Sequence, residues 1–323
     1  MRSLMFPLIA LGAACTDPAP ADTGTATDAE DTADAWDPDG TIRDNCFDGM
    51  GDASADFPEY DQFGVTAGHH CNGTNHQNID GVEKVVFLGD SVTVGTYPTL
   101  VEEYYRTLLT TSLQARFGED IEILDCSEFG ARTDDYLREQ VPTCFPEIDD
   151  KTTLVISTMG GNDTFAAATE FAETGSIEAG AAVIERAIDY QRDAMRWFRD
   201  NEDVQFPGGV FVITGNVYEY TDATGDMSSC ELADTLGFGG NVPEMRDAYI
   251  AINEAFLEIA VETQTDSVFM LEQFCGHGFH AGEEGNECYR GPDAKTWFDA
   301  TCIHPNPDGH AALADMFLDV VEE

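Results

Sequence analysis

Beyond residue 82 the chain alternates short apolar runs with longer stretches in which apolar residues recur every three or four positions. The runs 85–88, 121–124, 153–158, 209–214 and 267–271 read as strands, the first of them, Val85-Val86-Phe87-Leu88, buried on both faces. The periodic stretches predict helices over 98–117, 176–200, 243–260 and 308–321. Leu100, Tyr104, Leu108 and Leu113 share one face of the first, and Ile184, Ile188, Met195 and Phe198 line the second. Leu313, Phe317 and Val320 face inward on the last. Pro98 and Pro243 fall at favoured first-turn positions, and Ser176 is placed to cap its helix. Strict alternation of strand and helix implies a parallel sheet covered by helices on both faces, an α/β fold. No internal repeat is visible.

The first 81 residues follow a different pattern. Residues 1–15 resemble a secretion signal, with Arg2 ahead of an apolar stretch too short to span a bilayer. The stretch ends Leu11-Gly12-Ala13-Ala14-Cys15, an imperfect bacterial lipobox in which Cys15 would carry lipid and tether the chain to a membrane; simple secretion is the other reading. Residues 16–45 hold too little apolar surface to order themselves and read as an acidic linker. Calcium-loop spacing is only hinted at around Asp37 and Asp44. Residues 46–81 form a cysteine-containing extension in which His69-His70-Cys71 and His76 read as surface loop rather than as a zinc site. The principal domain runs over 82–323.

Composition narrows the function. With 15 Lys and Arg against 62 Asp and Glu, the formal net charge is -47, so nucleic acid and anionic membrane surfaces are repelled. Setting Cys15 aside leaves eight of nine cysteines, an even number that points to disulfides in an oxidising compartment. Proximity favours Cys46–Cys71, Cys126–Cys144 and Cys275–Cys288, leaving Cys230–Cys302.

Four stretches at strand ends or in loops carry candidate chemistry. Gly89-Asp90-Ser91 follows the first strand, where a hydroxyl is exposed at the sheet's C-terminal edge. Gly130, in the loop after the second strand, lets backbone approach a ligand and offers an N–H. Gly160-Gly161-Asn162-Asp163 follows the third strand and lifts an amide donor to the same edge. His304, ahead of Pro305 and the last helix, is a rigid loop base; His310 lies within that helix and reads as a packing or capping residue. His277 and His280 read as part of a glycine-rich loop, with lining of the substrate cleft as the functional alternative, and no metal or cofactor motif accompanies them.

These four blocks, in this order over roughly 82–323, resemble the SGNH or GDSL family of esterases and lipases. The resemblance implies a flavodoxin-like three-layer α/β/α sandwich on a five-stranded parallel sheet. It implies Ser91 as nucleophile, His304 as base, and an oxyanion hole built from the Ser91 and Gly130 N–H groups with the Asn162 amide. No cofactor or metal is called for. The family usually places an aspartate three residues before the histidine, where this chain has Thr301. Asp299 reaches the ring if the loop bulges at Cys302, Asp293 lies further back, and a backbone carbonyl is the other orienting group left open. The absence of a Gly-x-Ser-x-Gly elbow around Ser91 sets the chain apart from α/β-hydrolases. The expected activity is hydrolysis of carboxylic esters outside the cytoplasm, leaning to short acyl groups such as acetyl esters of polysaccharides over lipid. A non-catalytic, carbohydrate-binding surface lipoprotein on the same scaffold is the rival.

Overall fold

A computed structural model describes residues 76–236, 240–242 and 245–323. The signal, the linker, the hinted calcium spacing, His69, His70 and the Cys46–Cys71 pairing lie outside them.

The sheet contains β1 (Lys84–Gly89), β2 (Glu122–Asp125), β3 (Thr153–Thr158), β4 (Val210–Gly215) and β5 (Asp266–Val268). Their order is β2-β1-β3-β4-β5 and every pairing is parallel. Around the sheet lie α1 (Ser91–Val94), α2 (Tyr105–Phe117), α3 (Gly161–Thr174), α4 (Ile177–Asp200), α5 (Met245–Thr263) and α6 (Pro307–Glu322). Alternate residues of β1 supply two cores. Val85 and Phe87 pack with Leu109 and Leu113 of α2 and Phe317 of α6. Val86 and Leu88 pack with Met195 and Phe198 of α4 and Phe256 of α5. This is the expected three-layer sandwich, and its order reverses between β1 and β3. A crevice opens at such a switch point, beyond the strands' C-terminal ends.

Three local readings of the sequence are corrected. The helix expected from residue 98 begins at Tyr105; Leu100 is 52% exposed, and the buried stripe is Tyr105, Leu109 and Leu113. His310 Nδ1 accepts the Tyr105 N–H at 3.2 Å, which satisfies a donor at the helix start. The strand expected over 267–271 stops at Val268 and a one-turn helix, Met270–Phe274, follows. There Asn216 Oδ1 accepts the Leu271 N–H at 2.9 Å, diverting the chain from the β4 ladder. The unexpected α3 carries alanines rather than a stripe of large apolar residues. It meets α4 closely: a Cβ on Gly180 would lie 3.1 Å from the Ala167 carbonyl.

Three disulfides pin the loops as expected: Cys126–Cys144, Cys230–Cys302 and Cys275–Cys288. Among the described residues no helix is long and apolar enough to cross a membrane.

Candidate active site

The turn after β1 is fixed from several sides. Gly89 has φ +133°, and a Cβ there would come within 2.5 Å of the Thr158 carbonyl and Thr93 Oγ1, so a side chain is excluded. The buried Gln140 amide clasps the same residue, accepting the Gly89 N–H at 2.9 Å and donating to its carbonyl at 2.7 Å. Asp90 caps α1 by accepting the Val92 N–H at 2.9 Å. Burial raises the Asp90 carboxyl to about 7, an effect opposed by the Val92 N–H and reinforced by Asp163. Thr93 Oγ1 bonds both Tyr105 Oη and Thr158 Oγ1 at 2.7 Å, tying α1 to α2 and β3. Ser91, half-buried, opens α1 at the crevice.

His304 Nε2 lies 2.9 Å from Ser91 Oγ although 213 positions separate the two residues. Its loop is closely held. The Asp299 N–H donates to the His304 carbonyl at 2.9 Å, and the Cys302 N–H to the Asp299 carbonyl at 3.1 Å. Cys302 sits at φ +75° and is bridged to Cys230. Tyr218 Oη donates to the Ile303 carbonyl at 2.9 Å. Asn306 caps α6 through the Gly309 N–H, with Pro307 in the first turn. Asp299 is brought toward the ring, as one sequence reading had it, but the contact runs through Thr301. The Thr301 hydroxyl is 2.8 Å from His304 Nδ1 and 2.5 Å from Asp299 Oδ1. Burial lowers the imidazole pKa from its ordinary value, and the Asp299 charge works in the opposite direction. Asp293 is exposed on an earlier turn.

The third strand end presents Asn162. Gly160, at φ +111°, turns the chain into α3; a Cβ there would lie 2.7 Å from Val217 Cγ2. Asn162 Nδ2 donates to the Ala131 carbonyl at 2.9 Å, which fixes the orientation of the amide. Gly130, next to Ala131, occupies an exposed turn, and the cleft is lined by Ser91, Asn162 and His304 without it. Asp163 accepts the Thr133 N–H at 3.0 Å and anchors that same loop; burial raises its carboxyl to about 6.

The cleft holds about 200 Å³. Its walls include Glu219, whose carboxyl burial raises to about 7 against hydrogen bonds from the Ala223 and Thr221 N–H groups. A second, apolar cavity of about 120 Å³ lies among α3, α4 and α5. The two share Thr164, Ala168, Met245 and Tyr249, with Tyr249 Oη 3.4 Å from Thr164 Oγ1. Sequence patterning gave no sign of Gln140 or of this shared wall.

The other histidines do different work. His310 is buried with its pKa brought down to about 4, chiefly by desolvation and secondarily by His304. It stacks on Tyr105, as a packing residue does. His277 lies flat on Trp297 with ring centroids 3.6 Å apart, and His280 faces Asp226 and Glu283. Neither lines the cleft, which sets aside the functional alternative and leaves the glycine-rich loop reading.

Serine, imidazole and amide thus meet at one sheet edge, in the chain order of the four sequence blocks. A family profile for GDSL-like lipases and acylhydrolases matches residues 87–312. The chain belongs to this family. As the sequence blocks implied, this GDSL protein is a carboxylic ester hydrolase by family. Among solved structures it is similar to an extracellular lipase from Streptomyces rimosus, at 20% identity over 75% of this chain and 99% of that one, TM-score 0.49. It is also similar to the acetylxylan esterase Axe2 from Geobacillus stearothermophilus, at 17% identity over 76% of this chain and 97% of that one, TM-score 0.48. The lipase Lip_vut3 from a goat rumen metagenome shares the fold at 16% identity over 73% of this chain and 96% of that one, TM-score 0.50. No curated protein matches the chain.

Proposed function

We propose that this GDSL-family chain is an exported serine esterase acting through an acyl-enzyme, with Ser91 as nucleophile and His304 as general base. The observation that carries this reading is the 2.9 Å contact between Ser91 Oγ and His304 Nε2. His304 takes the hydroxyl proton as Oγ attacks the ester carbonyl, then returns it to the departing alcohol. Water repeats the sequence to release the acid. The oxyanion is held by the Ser91 N–H and by the second N–H of the Asn162 amide, the first being committed to Ala131; the Gly130 N–H that the family resemblance implies as a third donor lies in the adjoining turn. Asp299 is the acidic member of the set. A fluorophosphonate probe is expected to label the protein at Ser91, with the adduct located by peptide mass spectrometry. A carbohydrate-binding module on the same scaffold would stay unlabelled.

The substrate reading is a short acyl ester, including acetyl groups on polysaccharides. It is supported by the wall of Thr164, Ala168, Met245 and Tyr249 that the cleft shares with the apolar cavity. Tyr249→Ala is expected to join the two spaces. The kcat/KM ratio for p-nitrophenyl octanoate over acetate should then rise about tenfold, as two newly buried methylenes at about 0.8 kcal/mol each would give. Acyl-chain profiling of both proteins checks this. Export is supported by the three disulfides, which suit an oxidising compartment. Cleavage ahead of Cys15, which then carries lipid as the tether, completes the reading.

A further inference from the structure

We propose that Thr301 is a positioning residue whose hydroxyl carries the orienting influence of Asp299 to His304. This rests on the esterase reading above and adds a link between acid and base. An ionised carboxylate can only accept hydrogen bonds. Asp299 Oδ1 accepts twice from Thr301, from its N–H at 2.7 Å and from its hydroxyl at 2.5 Å. A hydroxyl has one proton, so with that proton on the carboxylate its oxygen can only accept from the ring, 2.8 Å away. Nδ1 therefore bears the hydrogen, and Nε2 presents its lone pair to Ser91 Oγ at 2.9 Å. Every donor in the row Ser91, His304, Thr301, Asp299 points the same way. When the Ser91 proton reaches Nε2, the imidazolium keeps its Nδ1–H on Thr301, and no proton leaves threonine or reaches Asp299. Asp299 is 7% exposed, so little solvent screens its carboxylate. The turn that makes room for the bridge is held by Cys302 at φ +75° and by its disulfide.

The test compares Thr301→Val, Thr301→Ser, Asp299→Asn and the Val/Asn double variant in the full chain, with p-nitrophenyl acetate across pH. Valine keeps the shape and the backbone N–H but loses the hydroxyl. Its kcat is expected to fall about 10- to 100-fold, a fraction of the roughly 10⁴-fold cost of disabling a directly bonded triad carboxylate. Serine should stay within about threefold of the parent. The double variant should be no worse than the poorer single, because both break one linkage. The acid limb of kcat/KM reports the base in the free enzyme. Losing the path to Asp299 lowers the imidazole pKa, so this limb should move to lower pH in Val and Asn and stay in place in Ser. A purely structural threonine would leave it unmoved. The relay is overturned by a Val variant within twofold of the parent with the limb in place, by Ser behaving as Val, or by losses that multiply. Should the Val protein not fold, Asp299→Asn and Thr301→Ser decide the matter on the same limb. Full turnover in Ser91→Ala would instead overturn the esterase reading; an inactive Ser91→Ala beside a parent-like Thr301→Val would overturn the relay alone.

Discussion

Alanine in place of Ser91 is expected to reduce ester turnover about 10⁴- to 10⁶-fold, and alanine in place of His304 to cost nearly as much. The two side chains act as one unit, since the hydroxyl is a poor nucleophile until its proton has somewhere to go. The double variant should therefore be about as slow as either single, a non-additivity read directly from kcat with p-nitrophenyl acetate. Whatever rate remains above the uncatalysed reaction would come from the oxyanion donors and from substrate binding. The proteins should fold normally. Ser91 is half-buried at a turn whose shape depends on Gly89, Gln140 and Asp90, and none of those contacts uses the serine hydroxyl. Parent-like turnover in both variants would remove the assigned roles together.

Asn162→Ala should lower kcat about 10²- to 10³-fold with little change in KM. In the proposed role the amide meets charge that develops only as the carbonyl becomes tetrahedral, so the ground state would lose little. The same change removes the hydrogen bond to the Ala131 carbonyl, worth about 1 kcal/mol net. A modest fall in Tm is thus expected beside the kinetic loss, and the two are separated by measuring kcat well below the transition. A large rise in KM at unchanged kcat would assign the amide to substrate binding instead.

Much of this architecture is legible in the residues. Alternating Val85, Val86, Phe87 and Leu88 serve two cores because both faces of a parallel strand are covered. Ser91, Asn162 and His304 stand out because glycines or a proline mark the strand ends and loops that carry them. Other features depend on contacts that periodicity cannot encode. Met270 and Leu271 are apolar and buried in either a strand or a helix, and the choice is made by Asn216, more than 50 residues away. Gln140 looks like any polar residue of a helical turn until the fold sets its amide across Gly89. Asp299 is readable as a candidate on condition of a bulge at Cys302, which the left-handed turn there supplies, but the bridging Thr301 hydroxyl carries no sequence signal. Gly130 stands in an exposed turn outside the cleft lining, and its neighbour Ala131 accepts the Asn162 amide.

The bridge between Cys230 and Cys302 joins the segment beside the cleft to the short stretch between Thr301 and His304. In a newly made chain with free thiols, the segment bearing the imidazole lacks that anchor. Closing the bridge therefore ties the position of the His304 ring to the redox state of two thiols far apart in the chain.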